Sequence, residues 1–413
     1  MSSRFSRSLR FGPGDRADAY YRYVEVPLEA TAPGLTVSVR YDRSAAVIDV
    51  GLFGPGGFRG WSGGEREWFT VGAGEATPGY LPGPLEPGSW LVVLGLYRVP
   101  GEGVEVSVAV TPEPSPLPAG PPPPPAAAPA APALVSPPAP AGRRWVAGDL
   151  HAHSVHSDGQ LTVEQLASTA RAQGLDFLAV TDHNTVSHHA HLAAASRRYG
   201  ITLLPGQEVT TPDGHAGVLG AMSWVDFRRP AEEWLAQAEA EGGLLAVNHP
   251  EVPTVEWDLP LSRPPHLVEA WHGTWSQSRS DRCGWGFWST RAPARPVGGS
   301  DYHRPGDRPP GWPTTWVEVE DTGAPPAPDQ LVAALGQGPV AMSASPAGPL
   351  AVPVEGEVVA VGAEGLFARR GFDGDPVRVS SGRFRAGAGP GLWSLAGEDG
   401  GVLAVAWVPP AGV

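Results

Sequence analysis

The stretch WVAGDLHAHSVHSDG, residues 145–159, joins a short apolar strand to three histidines and a pair of aspartates. In extended backbone, side chains two residues apart point to the same side, so the imidazoles of His151 and His153 can face one ion. A folded surface has no general need for so many metal-ligating side chains in one short segment. The stretch therefore predicts a metal site whose remaining ligands lie elsewhere in the chain.

The same arrangement recurs downstream, where apolar strands alternate with amphipathic helices. All 12 histidines lie between His151 and His303. Further candidate ligands fall at or beside the ends of these strands, and they are Asp182, His183, Glu208, His215, His249, Asp301 and His303. Repeated βα units favour a parallel α/β barrel or a relative of one, and such barrels build their active sites at the carboxyl ends of the strands. The pattern predicts one multi-histidine site on that face.

The clearest helix prediction covers LTVEQLASTARAQG, residues 161–174. Thr162 and Gln165 have the spacing of a capping box, in which each side chain bonds the backbone N–H of the other residue. Gly174 suits the position just after a helix, where a left-handed residue is common. A helix of this kind between two strands fits the βα reading.

Changes in composition divide the chain into four regions. Residues 1–111 hold short alternating segments between Gly and Pro turns, which predicts a small β-sandwich. Residues 112–143 form a Pro/Ala tract typical of a semi-rigid linker. Residues 144–345 carry the barrel pattern, and residues 346–413 return to Gly-rich segments that predict a small β appendage.

The composition narrows the classes of function and location. The formal charge is -14, which disfavours nucleic acid and anionic membranes as partners. Cys283 is the single cysteine, so no internal disulfide or thiolate cluster can form. We find no secretory signal and no run of about 18 apolar residues, so we expect a soluble cytoplasmic protein that acts on a small molecule. The sequence leaves the oligomeric state open.

The candidate ligands are imidazoles and carboxylates without sulfur, which suits Zn, Mn or Fe. Their number exceeds what one ion needs. Carboxylates such as Glu208 and Asp301 can bridge two ions about 3.5–4 Å apart, as in two-metal hydrolytic sites. We therefore expect two to three divalent ions.

With these residues identified, the segment from about 144 to 345 resembles the PHP superfamily, named for polymerase and histidinol phosphatase. The resemblance rests on DLHAHSVHSDG, AVTDHN, GQEVTTPDGHAGVLG, NHP and GGSDYH, and it looks most like the carbaryl-hydrolase-like branch. It implies a distorted (β/α)7 barrel, preceded here by the sandwich and followed by the appendage. It also implies three ions, held by His151, His153, Glu208 and Asp301, by Glu208, His215 and His249, and by Asp158, His183 and His303. His156 is near enough to Asp158 in sequence to compete for the third ion.

The implied activity is that of a metal-dependent hydrolase using a metal-bound hydroxide, with Asp301 or His303 as proton carrier. A phosphoesterase acting on a small molecule is the first expectation. Hydrolysis of a carbamate, amide or ester by the same site is the first alternative. A non-catalytic binding protein on a PHP scaffold is the second alternative. An amidohydrolase barrel bridged by a carboxylated lysine is excluded because the sequence contains no lysine.

Other polar residues are assigned supporting or structural roles. Candidates for orienting a ligand or contacting substrate are His156, Asp182, Asn184, Glu269, His272 and Arg304. Arginines in SQSRSDR, residues 276–282, are further candidates for gripping a phosphate. His188, His189 and His191 are expected to be exposed at the start of a helix capped by Ser187, and His266 is expected to be structural.

Overall fold

The computed structural model describes residues 4–117, 134, 136–274, 284–291, 293–380, 383–387 and 389–409. Most of the predicted linker and the arginines of residues 276–282 lie outside the described residues. The chain divides into two compact units. The first contains the described residues before the linker together with Val155–Asp158 and His183–His188, and the second contains the other residues.

The first unit has two four-stranded antiparallel sheets and one short helix, α1. Its elements are β1 Phe5–Phe11, α1 Pro13–Asp18, β2 Tyr21–Leu28, β3 Gly34–Arg40, β4 Val47–Gly54, β5 Gly57–Gly63, β6 Trp68–Gly72, β7 Gly88–Arg98 and β8 Val104–Thr111. The strand orders are β1-β8-β3-β6 and β2-β7-β4-β5. Alternating residues of both sheets, such as Ile48, Leu94 and Val106, form one apolar core. The residues that were predicted to form a sandwich thus contain two antiparallel sheets that share a core.

Three strands of this unit, β1, β5 and β6, do not stand out in the sequence as alternating segments. Strands β1 and β5 are rich in polar residues or glycine, and β6 has only five residues. They form because neighbouring strands supply their hydrogen-bonding partners, which a local pattern does not reveal.

The second unit is an α/β fold that begins at the histidine-rich stretch. Its elements up to the last helix are β9 Arg143–Asp149, α2 Val163–Ala172, β10 Phe177–Val180, α3 His189–Tyr199, β11 Thr202–Thr211, β12 Gly214–Leu219, α4 Ala231–Ala240, β13 Leu244–Val247, β14 Leu267–His272, α5 Trp285–Ser289, β15 Arg295–Gly299, β16 Thr314–Glu320 and α6 Pro328–Gln337. The remaining strands are β17 Val340–Ser343, β18 Leu350–Val354, β19 Glu357–Val361, β20 Phe367–Arg370, β21 Val377–Arg378, β22 Arg383–Gly387, β23 Gly391–Ala396 and β24 Val402–Val408.

One long sheet holds the strands that precede the predicted ligands. Its order is β15-β14-β13-β12-β11-β10-β9-β16-β17-β24-β23-β20-β21. Strand β15 begins this order, yet the hydroxyl of Thr315 on β16 bonds both the N–H and the C=O of Gly298 on β15 at 2.8 Å. The loops that follow β9 and β15 also bond each other, through Asp301 N to His151 O at 3.0 Å and His153 N to Tyr302 O at 2.9 Å. The sheet therefore curves so that β15 meets β16 beside β9.

The repeated βα units predicted a parallel sheet, but some strands of this sheet pair antiparallel. Strands β9, β10 and β11 pair in parallel, as do β13, β14 and β15. Strand β12 runs antiparallel to both its neighbours. The cause is local, because only Pro212 and Asp213 separate β11 from β12, and a two-residue connection can join only antiparallel strands.

The helix predicted over residues 161–174 forms as α2. Thr162 accepts from Gln165 N at 3.2 Å, and Gln165 Oε1 accepts from Thr162 N at 2.9 Å, so both halves of the capping box are present. Gly174 has a φ of 85°, as expected for a residue just beyond a helix. None of the described helices is long and apolar enough to span a bilayer.

The C-terminal strands continue the second unit. Strand β24 pairs with β17, and β23, β20 and β21 extend the same sheet, while β18, β19 and β22 form a separate three-stranded sheet. Residues predicted as a separate appendage therefore supply strands to the main sheet.

Candidate metal centre

Glu208 lies at the centre of a group of four histidines. Its Oε1 is 3.2 Å from the Nε2 atoms of His151 and His249 and 3.4 Å from Nδ1 of His215. Its Oε2 is 3.5 Å from Nε2 of His153. The carboxylate thus touches both groups of ligands that the resemblance assigned to separate ions, which is the arrangement a bridging ligand requires.

Glu208 was expected to end its strand, but it lies inside β11. The hairpin with β12 prolongs β11 to Thr211, and Glu208 pairs with Gly217 across it. The same pairing brings His215 opposite Thr210. The hairpin therefore brings the two predicted ligands together across adjacent antiparallel strands.

Asp301 gathers a second set of imidazoles. Its Oδ1 is 3.1 Å from His151 Nε2 and 3.0 Å from His153 Nε2, and its Oδ2 is 3.4 Å from His272 Nε2. Asp301 has a φ of 55° and His249 a φ of 26°, conformations that L-residues adopt at a cost. Such strain is retained where surrounding structure holds a side chain in a required direction.

His151 is oriented by Glu269, one of the predicted supporting residues. Both Glu269 carboxylate oxygens lie 3.4 Å from His151 Nδ1, and Glu269 Oε2 accepts from His249 N at 2.8 Å. A carboxylate at Nδ1 holds a proton on that nitrogen, so in the neutral ring the lone pair lies on Nε2, the atom that adjoins Glu208 and Asp301. Carboxylate–histidine pairs of this kind hold metal-ligating imidazoles in protein metal sites.

His272 shows the opposite proton arrangement. Its Nδ1 accepts from the backbone N–H of Thr274 at 3.3 Å, so the neutral ring carries its proton on Nε2. That Nε2 faces Asp301 Oδ2. The structure therefore places His272 directly against Asp301, with these two atoms 3.4 Å apart.

Charge interactions decide the protonation of this buried cluster. Burial alone would lower the pKa of His151, but Glu208, Asp301 and Glu269 raise it well above the ordinary value. Burial would likewise raise the pKa of Asp301, but His151 and hydrogen bonds from His153 and His272 hold it well below its usual range. The carboxylate of Asp301 is therefore held ionised, which is the state that binds cations.

The residues fit a cation at this position. Ligand atoms of His151, Glu208 and His249 lie within 4.8 Å of one another, and so do those of His151, His272 and Asp301. Within the described part of the chain, the buried His151 Nε2 makes no hydrogen bond although two carboxylates adjoin it. A buried polar atom without a hydrogen bond is costly unless something else satisfies it, and a divalent ion would do so.

Two supporting residues escaped the sequence analysis. Asn248 donates to Glu208 Oε1 at 3.0 Å. The buried Asp149 accepts from His151 N at 3.1 Å, Ser300 N at 3.0 Å and Gly311 N at 2.7 Å. Asp149 was part of the opening stretch, and its position at the end of β9 was the only sequence signal available.

The ligands expected for a third ion are distributed over the two units. Asp158 and His183 belong to the first unit, where Asp158 Oδ1 is 3.5 Å from His183 Nε2. His303 belongs to the second, where its ring stacks on His153 with centroids 4.2 Å apart. His303 Nδ1 contacts Asp301 O at 2.8 Å, which places the proton on Nδ1 and the lone pair on Nε2.

The remaining predicted residues have varied positions. Asp182 accepts from Ser154 N at 2.8 Å and Ser154 Oγ at 2.6 Å, so it braces the loop after β9. Asn184 is buried in the first unit with a φ of 56°. Arg304 is exposed beside Asp307. His266 accepts from Leu245 N at 3.0 Å and is structural.

The prediction that His188 is exposed is wrong. His188 is fully buried, and its ring lies edge-on to His156 with centroids 6.1 Å apart. Helix α3 begins only at His189, so Ser187 and His188 precede it. Ser187 Oγ instead contacts His156 Nδ1 at 2.7 Å. His191 is exposed as expected.

Curated proteins of known name are similar to short parts of this chain. A 5'-3' exoribonuclease of Haemophilus influenzae is 41% identical over 63 residues, which is 15% of this chain and 23% of that protein. A 3',5'-nucleoside bisphosphate phosphatase of Chromobacterium violaceum is 40% identical over 83 residues, 20% of this chain and 29% of that protein. The chain thus spans less than a third of either relative.

A solved structure covers more of the chain at low identity. It is a two-domain protein of Bacteroides vulgatus described as containing a predicted PHP-like metal-dependent phosphoesterase, with 16% identity and a TM-score of 0.44 over 68% of this chain and 99% of that one. The family model described as PHP domain matches residues 149–251, which hold His151, His153, Glu208 and His249 of the site.

Proposed function

We propose that this protein is a metal-dependent phosphoesterase of the PHP type. The observation that carries the proposal is the convergence of Glu208 and Asp301 on the buried imidazoles of His151 and His153. The names of these two relatives, an exoribonuclease and a bisphosphate phosphatase, both denote hydrolysis of phosphate esters. These names support the choice of phosphorus over carbon as the reacting centre.

The ligand sets follow the carboxylates. We assign a first ion to His151, His153, Glu208 and Asp301, and a second to Glu208, His215 and His249. Divalent ions bound in this way supply Lewis acidity and lower the pKa of a coordinated water. Glu269 orients His151 and positions the backbone of His249, and Asn248 orients Glu208.

His303 is the proposed proton carrier. Its Nδ1 is occupied by the carbonyl of Asp301, which leaves Nε2 able to take up or release a proton. Its side chain is 24% exposed, whereas the side chains of His151 and His153 are buried. A partly exposed imidazole beside a buried ligand cluster can exchange protons with solvent.

The finer assignments are part of the same proposal. They are a distorted (β/α)7 barrel, the carbaryl-hydrolase-like branch, two to three ions of Zn, Mn or Fe, and a small-molecule substrate. The net charge of -14 disfavours long nucleic acids as substrates. Hydrolysis of a carbamate or ester by the same site remains the alternative that activity assays must separate.

Metal content tests the class of protein. We expect purified protein dialysed against metal-free buffer to retain about two to three ions per chain by elemental analysis, and His151→Ala to lose at least one. His191→Ala is the matched control, because His191 is an exposed histidine outside the clusters. Wild-type protein that binds no divalent ion after loading with Mn or Zn would refute the proposal.

Activity tests the reaction. The metal-loaded enzyme should hydrolyse a nitrophenyl phosphate, a nitrophenyl phosphodiester or a nucleoside bisphosphate. The substitution His303→Ala should lower kcat by a larger factor than it lowers the metal content. Turnover of an aryl carbamate without turnover of any phosphate ester would replace the proposal by its alternative. A short RNA oligonucleotide tests whether nucleic acid is a substrate after all.

A further inference from the structure

Two short segments that carry predicted ligands belong to the first unit. They are Val155–Asp158 and His183–His188, which follow β9 and β10 in the chain but cluster with the sandwich strands. Asp158 and His183, the pair expected to help hold a third ion, lie 3.5 Å apart within these segments. The sandwich therefore contains two candidate ligands in addition to its own strands.

Gly79, between β6 and β7, bonds both segments. Its N–H lies 3.1 Å from Ser187 Oγ and 3.4 Å from His156 Nδ1, and its C=O accepts from Thr185 Oγ1 at 2.8 Å. Gly79 has a φ of 100°, and an added Cβ would lie 2.7 Å from Trp61 O and 2.8 Å from His156 O. Only glycine fits this close approach.

Arg66, between β5 and β6, makes a second connection. Its Nη2 donates to Val155 O at 2.5 Å and its Nη1 to Ser157 O at 3.4 Å. These carbonyls flank His156, and Ser157 immediately precedes Asp158. A guanidinium that bonds two carbonyls of one short segment restricts that segment's backbone.

The connecting groups are buried and bonded to one another. Thr185 is fully buried, and His156 and Ser187 are each 8% exposed. Ser187 Oγ contacts His156 Nδ1 at 2.7 Å and Thr185 Oγ1 at 3.2 Å, so the network links the segment before Asp158 to the segment that begins at His183. Buried hydrogen-bond networks of this kind rigidify the groups they join.

We propose that the N-terminal sandwich is a positioning element for the ligand pair Asp158 and His183, acting through Gly79 and Arg66 on the segments that carry them. This inference rests on the proposed function, because it concerns the affinity of that pair for an ion. Ligands held in place before binding lose less conformational entropy when the ion arrives. The sandwich thereby sets the occupancy of the third ion.

Equilibrium titration of the metal-free full chain with Mn²⁺ tests the inference. We expect three ions per wild-type chain. In Thr185→Val and in Arg66→Ala, one ion should bind about tenfold more weakly and the other two should bind as in the wild type. Residues that orient metal ligands without binding the ion typically change metal affinity by about 10–100-fold when they are replaced. Thr185→Ser keeps the hydroxyl and should bind all ions as the wild type does.

Arg59→Ala is the matched control. Arg59 is an arginine of the same sandwich that bonds the carbonyls of Leu81, Gly83 and Pro84, a segment without candidate ligands. We expect it to lower the melting temperature without changing any of the three affinities. A melting curve for each variant separates loss of folding from loss of an ion.

The outcomes distinguish this inference from the proposed function. Wild-type protein that binds two ions only would overturn the inference and leave the proposed function standing. Wild-type affinities in folded Arg66→Ala and Thr185→Val, or equal weakening of all ions in both, would also overturn it. Wild-type protein that binds no ion would refute the proposed function and the inference together.

Discussion

At the scale of single residues, the site depends on buried carboxylates that each contact several imidazoles. Glu208 is fully buried and contacts four histidines, and Asp301 contacts His151, His153 and His272. Buried charges are stable only when they are compensated, and here the compensation is an imidazole cluster or a cation. Loss of one carboxylate should therefore lower the stability of the metal-bound protein more than that of the metal-free protein.

Glu208→Gln should abolish the stabilisation that metal ions confer. The amide retains the size of the side chain but removes the charge shared by the two proposed ions. Each bound ion should add about 2.7 kcal/mol to the unfolding free energy of the wild type when Mn²⁺ is present at 100 times the Kd of that ion. Thermal melts with and without Mn²⁺ measure the gain, and an equal rise in Glu208→Gln would contradict the assignment of Glu208 as a shared ligand.

His266 provides a pH-dependent test away from the metal ligands. Burial lowers the pKa of His266 below 6.5, and its Nδ1 must be unprotonated to accept from Leu245 N. A group with a lowered pKa in the folded state contributes stability above pH 6.5 that is lost as the pH falls through the folded-state value. His266→Asn keeps an acceptor without titrating, so it should lose less stability than the wild type between pH 7.5 and 5.5.

Urea unfolding of both proteins in EDTA measures this difference, since the chelator removes the separate effect of pH on metal binding. The free energies of unfolding should approach each other as the pH falls. Parallel curves over this range would show that His266 does not titrate as its environment predicts.

At the scale of elements, local sequence determines where several structures begin and turn. The capping box starts α2 at Val163, and the two-residue connection after Thr211 makes β11 and β12 an antiparallel pair. That hairpin in turn brings His215 and Glu208 together. A turn of two residues thus brings Nδ1 of His215 within 3.4 Å of Oε1 of Glu208.

Thr162→Ala should lower the free energy of unfolding by about 1 kcal/mol, because it removes the acceptor for the N–H of Gln165. Thr169→Ala is the control within the same helix. Its hydroxyl bonds Gln165 O inside the helix, a contact that contributes little to helix stability. Chemical denaturation compares the two variants, and equal effects would mean that the cap is not responsible.

At the scale of the whole molecule, distant segments complete the second unit. Met342 on β17, Leu392 on β23 and Val405 on β24 share an apolar cluster with Ala270 and Trp271 of β14. Trp271 immediately precedes His272, so the C-terminal strands pack against the strand that ends at the site. The long sheet depends on residues after 346 even though the candidate metal ligands precede them.

Truncation after residue 345 should therefore destroy the fold of the second unit. It would leave the edge of β17 without its partner β24 and remove the cover from Trp271. Unpaired apolar edges favour aggregation. We expect loss of soluble yield and of the near-UV circular dichroism signal. A soluble product with a cooperative melt and wild-type metal content would show that residues 346–413 are a separable appendage.

Sequence patterns predicted which side chains of the candidate site would lie together, because several of these residues follow local rules. Alternation in extended backbone places His151 and His153 on one side, and strand ends mark His249 and Asp301. The same rules could not show that Glu208 lies inside β11, because the extent of that strand depends on its pairing with β12. They also could not show that His188 is buried, since its surroundings come from residues far away in the chain.

The sequence by itself determined the types of ligand, the absence of a lysine bridge, the start of α2 and the alternation of strands and helices, because these depend on residue chemistry and short-range periodicity. Only the tertiary structure decided that Glu208 contacts four imidazoles, that Asp149 joins β9 to the loops around Ser300 and Gly311, and that the segments containing Asp158 and His183 pack with the sandwich. Those contacts join residues tens to hundreds of positions apart, and their formation depends on the packing of whole sheets rather than on any local pattern.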